Sequence, residues 1–221
     1  MAASHSARSF ALRSIIAAAV FGGIALAGDF VTAEPTGPSS RSASRPTSAE
    51  PMNWKLDPVH CMALFRIHHV GAGQFWGMFD GVTGSIEWPL DSKDAPKFDV
   101  AVDVESVHSG DDKLDRTIKS PQFFNAKEFD EITFVSNGGK LVAEGIWEIT
   151  GDLTMHGETR PITAMVELTG VAAGSPVQKK VGFEATFMVK RSDFDMSWGV
   201  KNKALGDEVR MVVGLEGDWV R

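Results

Sequence analysis

Ile149-Thr150-Gly151-Asp152-Leu153-Thr154-Met155-His156-Gly157-Glu158-Thr159-Arg160-Pro161-Ile162-Thr163 is an alternating run, a polar turn and the start of a second run. Side chains along a strand point to opposite faces in turn, so Gly151, Leu153 and Met155 share one face and Asp152, Thr154 and His156 the other. A period of two reads as a β-hairpin. Pro161 has no N–H to give a ladder, which places it at a strand start or a sheet edge.

The same period recurs outward from this stretch. After Cys61, Ala63, Phe65, Ile67 and His69 fall on one face, read as the inner one, and Met62, Leu64, Arg66 and His68 on the other. Gly71, Gly73 and Gly77 interrupt a segment holding Phe75, Trp76 and Phe79, as where strands curl or bulge. Ile86 to Trp88 continues as strand, and Phe98, Val100, Val102 and Val104 alternate with Asp99, Ala101, Asp103 and Glu105. Further strands are predicted at Ile132 to Val135, Leu141 to Thr150, Leu153 to His156, Ile162 to Leu168, Phe183 to Val189 and Val209 to Leu215. One helix of about two turns is expected, capped by Ser109, with Asp111 and Asp112 in its first turn and Leu114 and Ile118 on one face. Pro121 ends it, and Phe123-Phe124 then drops two rings into or beside the core. Eight or so antiparallel strands with one short helix make an all-β barrel or sandwich.

The ends of the chain read differently. Arg8 and Arg13 precede an apolar run from Ile15 to Leu26 that closes on Ala25-Leu26-Ala27, the pattern of a secretory signal peptide over 1–27, cleaved after Ala27. That predicts a periplasmic or secreted protein. Its removal leaves 20 basic residues against 29 acidic ones, a net −9, which speaks against nucleic acid as a partner. Residues 28–53 are rich in Pro and Ser with few large apolar side chains and read as a disordered linker. The folded domain is then 54–221, long enough to bury one core. Cys61 is the only cysteine, so no intramolecular disulfide forms. It reads as a small buried residue, the alternatives being a reactive thiol or a link between two copies in a homodimer.

Motifs for chemistry are sparse. His68 and His69 are adjacent on a strand and point to opposite faces, and no His-x-His pair, His-Glu-x-x-His run or cysteine pair gives metal-ligand spacing. There is no Gly-x-Ser-x-Gly elbow, phosphate loop or paired-carboxylate signal. Arg191 and Asp193 look like turn residues. The reading is therefore of a protein that is not an enzyme, with no catalytic residue, no metal and no catalytic cofactor.

Gly151 to Gly157 with Thr159-Arg160-Pro161, Leu56-Asp57-Pro58-Val59-His60, Ser120 to Phe134 and Arg191-Ser192-Asp193-Phe194 together resemble the YceI-like family, over residues 54 to about 216. The chain departs from the family pattern at Asp130, Lys190 and Asp195, the last standing where glycine is usual, and Cys61 replaces a common serine. The resemblance implies an exported, extended, eight-stranded antiparallel lipocalin-like β-barrel that holds a long polyisoprenoid chain, such as an isoprenoid quinone or polyprenyl lipid. Physics alone says only that an eight-stranded barrel is filled by side chains or holds one slender ligand. The expected cavity wall is Phe65, Ile67, His69, Phe75, Phe79, Val102, Val104, Phe134, Leu153, Met155, Val166, Phe183 and Phe187. His69 is expected to be partly buried, bonded either to an internal group or to a ligand headgroup. The alternative function is a ligand-free interaction module whose plugged barrel docks a protein, for example a membrane redox partner.

Overall fold

The computed structural model describes residues 52–90, 92–172 and 179–220; the signal peptide expected at 1–27 and the linker expected at 28–53, save Met52 and Asn53, lie outside them. Eleven strands follow in order: β1 (Asn53–Leu56), β2 (Met62–His69), β3 (Gly73–Phe79), β4 (Val82–Glu87), β5 (Lys97–Asp103), β6 (Val107–His108), β7 (Glu131–Ala143), β8 (Ile146–Met155), β9 (Glu158–Ala172), β10 (Lys180–Lys190) and β11 (Leu205–Val220). A single α-helix among the described residues, α1 (Asp112–Ile118), lies between β6 and β7.

The strands close a ring in the order β1-β4-β5-β7-β8-β9-β10-β11 and back to β1, an eight-stranded antiparallel barrel. β2, β3 and β6 prolong β1, β4 and β5. The long β11 pairs with β2 over Leu205 to Gly214 and with β1 over Gly217 to Val220, so three of the eight staves are each broken once. At the first break the ladder is bridged by a side chain: Glu216 N–H donates to Cys61 Sγ (3.2 Å) and the thiol donates to the Glu216 carbonyl (3.4 Å). Cys61 is 2% exposed, and burial pushes its thiol pKa up, so neither a link to a second copy nor a reactive thiolate fits this position.

The hairpin that anchors the sequence pattern is β8–β9. Met155 pairs with Glu158, leaving His156 (φ 53) and Gly157 (φ 78) as a two-residue turn whose twist matches the strands it joins. Gly151, Leu153 and Met155 are buried, and Asp152 is exposed. Pro161 pairs with Asp152, while β10 joins β9 only from Met165 onward, so the proline lies where one side of β9 is unpaired. His156 belongs to the turn rather than the strand, its Nδ1 lying 3.1 Å from the Phe194 carbonyl.

Four boundaries differ from expectation. β7 runs unbroken to Ala143, taking Gly138 and Gly139 into the strand with a register shift after Ser136, and β8 is continuous from Ile146, so the turn falls at 144–145. The helix cap is Asp111, whose carboxylate accepts from Leu114 N–H, two residues beyond Ser109. The alternation of β5 stops at Asp103, since Val104–Ser106 forms a 3-10 turn. Asp195 has φ 59, a left-handed conformation that glycine takes freely and aspartate tolerates.

The interior divides along the barrel axis. One end is closed by aromatic rings: Trp88 meets Trp147 at 5.8 Å and Phe183 at 5.6 Å, and Phe98 meets Phe183 at 5.5 Å. Each buried indole here donates to a carbonyl, Trp54 to Trp88, Trp88 to Asp94 and Trp147 to Lys93, so the plug leaves no indole N–H unpaired.

Candidate functional site

Above the aromatic plug the barrel is not filled. A cavity of about 440 Å³ runs between the inward faces of the strands and the layer formed by α1, Phe123 and Phe124. The wall follows the period of two: Ala63, Phe65 and Ile67 on β2, Val100 and Val102 on β5, Leu153 and Met155 on β8, Val209, Met211, Val213 and Leu215 on β11. Among the described residues its only polar side chains besides the Trp198 indole are His69, Thr117, Gln122, Thr133 and Arg191, with no carboxylate among them. Ring packing shapes the β2–β3 side, where Phe65 lies 6.1 Å from Phe75 and 5.7 Å from Phe79. A Cβ at Gly77 would collide with the Phe65 ring, so the missing side chain makes room for that ring.

Of the thirteen residues expected on the wall, Phe65, Ile67, His69, Phe75, Phe79, Val102, Phe134, Leu153, Met155, Val166 and Phe187 lie on it. Val104 and Phe183 do not. Phe183 points inward as its strand dictates but sits in the aromatic plug, one level below the cavity floor. Val104 is buried in the 3-10 turn that interrupts the third stave. His69 lines the mouth but is exposed rather than partly buried, because the last residue of β2 stands where the strand leaves the barrel.

The mouth is at one end. The wall residues with substantial exposure are His69, Thr117, Gln122 and Trp198, contributed by the end of β2, by α1 and the segment after it, and by the loop before β11. Arg191, expected as a turn residue, is 4% exposed. Its Nε donates to the Gly206 carbonyl and Nη1 to Met196, each at 2.7 Å, while Nη2 serves Trp198 and Leu205. Burial lowers its pKa while the Asp207 carboxylate, anchored on Ser192, opposes that shift, and the guanidinium remains a cation that ties the mouth loop to the barrel. No periodicity marks Arg191, Trp198 or Gln122, since loop residues carry none. Val209, Met211, Val213 and Leu215 do alternate, and that signal, had it been followed, would have placed them on the wall.

Away from the cavity, ligand atoms of Asp57, His60 and Glu216 lie within 4.8 Å of one another. The Lys180 ammonium lies among these carboxylates, 3.0 Å from Asp57, 2.7 Å from Glu216 and 3.0 Å from Asp218, so the cluster already holds its cation. It bridges the first stave break rather than forming a metal site.

A closed antiparallel barrel with an unfilled apolar interior and one mouth is a lipocalin-like binding barrel. Residues 54–217 match the YceI-like domain, and the chain belongs to the YceI-like family. Protein YceI of Salmonella arizonae is 29% identical over 172 residues, covering 77% of this chain and 88% of that protein. Campylobacter jejuni YceI has a TM-score of 0.64 at 25% identity, over 70% of this chain and 90% of its own. BcnA of Burkholderia cenocepacia (TM-score 0.65, 20% identity, 73% and 98% coverage) shares the fold. So does a polyisoprenoid-binding domain from Saccharophagus degradans, implicated in plant cell wall breakdown (TM-score 0.61, 14% identity, 76% and 98% coverage).

Proposed function

We propose that this protein is an exported carrier that sequesters a long apolar lipid, an isoprenoid quinone or polyprenyl chain, inside its barrel, and that it catalyses no reaction. The observation that carries this reading is the 440 Å³ of unfilled volume behind a wall almost without polar groups. Wall atoms that face unfilled volume forfeit packing contacts, so an empty interior is unfavourable. A hydrocarbon occupant offsets that cost and gains about 0.8 kcal/mol per methylene buried. The polyisoprenoid-binding neighbour supports the ligand class, and the leader-like residues 1–27 support export with cleavage after Ala27. The same unfilled volume counts against a barrel plugged by its own side chains.

Mass spectrometry of an organic extract of natively purified protein, beside a mock purification, tests the reading. A lipid near one per chain is expected; protein that carries none and takes up no solubilised quinone would overturn it. The intact mass of that preparation should begin at Gly28.

A further inference from the structure

The rim of the mouth has properties that holding a hydrocarbon chain does not require. Its open side is framed by the β2–β3 turn, Val70 to Ala72, and by the loop from Ser197 to Ala204, joined by a bond from Val70 N–H to the Ala204 carbonyl (3.0 Å). Val70 is 60% exposed and Trp198 47% exposed, large apolar side chains facing water beside the opening. Val70 is moreover held at φ 47, a left-handed conformation unfavourable for a β-branched residue, in a turn where Gly71 follows at φ 69. Lys201 and Lys203 are exposed on the neighbouring loop.

The charge pattern of these two segments is one-sided. Although the chain has 29 acidic residues in 221, residues 62–79 and 196–206 contain none, while they hold Arg66, His68, His69, Lys201 and Lys203. Asp195 and Asp207 bound the second segment, the latter held by Ser192, and further carboxylates lie on α1, where Asp111 caps the helix and Asp115 accepts from Ser109 N–H. A rim that is cationic and apolar on one side, on a chain of net negative charge, matches an anionic lipid surface.

We propose that the barrel docks mouth-first on an anionic phospholipid bilayer, led by the 197–204 loop. Trp198 and Val70 enter the boundary between headgroups and acyl chains, and Lys201 and Lys203 meet lipid phosphates. The inference rests on the carrier reading above, for it gives an apolar chain a route between bilayer and cavity without crossing water.

Flotation of the purified protein with vesicles tests it, comparing phosphatidylcholine alone with phosphatidylcholine containing phosphatidylglycerol, at low and high salt. Binding to the anionic vesicles, weakened by salt, is expected. The double variant Lys201→Glu/Lys203→Glu and the single variant Val70→Asp should each lower it at least about tenfold. Aspartate accepts the left-handed backbone, so Val70→Asp should keep the melting temperature, and neither variant touches the cavity wall. Absence of vesicle binding by the wild type, or equal binding by wild type and variants, overturns the docking. A dimer of the wild type that Val70→Asp dissolves overturns it too, assigning the rim to a second copy. Organic extracts of the same preparations separate the two readings: lipid without vesicle binding removes the docking alone. Variant-sensitive vesicle binding with no lipid in any preparation keeps the docking face and removes the carrier.

Discussion

Nη2 of Arg191 donates to the carbonyl of Trp198, so a guanidinium buried beside the cavity holds the loop whose indole stands at its mouth. The same group serves Met196, Leu205 and Gly206, spanning both ends of that loop. A planar fork with five donors reaches several carbonyls at once, whereas an ammonium is a point.

Arg191→Lys should therefore leave buried carbonyls unpaired and cost about 3 kcal/mol or more in urea unfolding at neutral pH. A loss under about 0.5 kcal/mol would mean that the loop holds itself.

Phe65 and Phe187 both line the cavity, yet tryptophan should act differently at the two positions. Phe65 is wedged between Phe75 and Phe79 over Gly77, so Phe65→Trp overpacks and should cost about 1–3 kcal/mol. Phe187 is only half-buried, and Phe187→Trp should grow into open volume with little change in melting temperature while lowering the lipid stoichiometry. Equal destabilisation by both would mean the cavity closes up in solution.

His69 is exposed at the mouth, so His69→Phe should leave lipid-free stability within about 0.5 kcal/mol in denaturant melts. If it meets a quinone carbonyl, titration with a solubilised quinone should show binding weaker by about 0.5–1.5 kcal/mol. Unchanged affinity would leave the ligand held by hydrocarbon contact alone.

Acid should act at the first stave break. Hydrogen bonds from His60 and Lys180 hold the Asp57 carboxyl down at about 2, below its ordinary 3.8. A depressed carboxyl contributes stability that is present above pH 4 and is lost as pH falls towards 2. Lys180, bonded first to Glu216, has its pKa raised, so its contribution is present below the ordinary lysine range and fades at strongly alkaline pH. Melting temperatures between pH 7 and pH 2.5 should fall less steeply in Lys180→Met than in the wild type; identical slopes would show that Lys180 contributes nothing to the pH dependence.

Much of the fold was legible because a strand writes its two faces into alternate residues. The period placed Ala63, Phe65 and Ile67 inward on β2 and Leu153 and Met155 inward on β8, and Gly157 marked the hairpin turn. The predicted break between Val135 and Leu141 is absent, because Gly138 and Gly139 sit within β7 at a register shift. For Asp111 rather than Ser109, both residues could cap, and the choice fell to whichever carboxylate or hydroxyl met the Leu114 N–H.

What the sequence by itself determined was the strand period, the inward faces and the absence of any carboxylate among them. Tertiary structure alone decided depth along the barrel axis, because alternation says which side a residue faces but not how far down it lies. Phe183 and Phe187 share an inward face of β10, yet the first packs against Trp88 and Trp147 in the plug and the second borders the cavity. It also decided the mouth, since Trp198, Arg191 and Gln122 come from aperiodic segments that only ring closure and the carbonyls around one guanidinium bring to the end of β2.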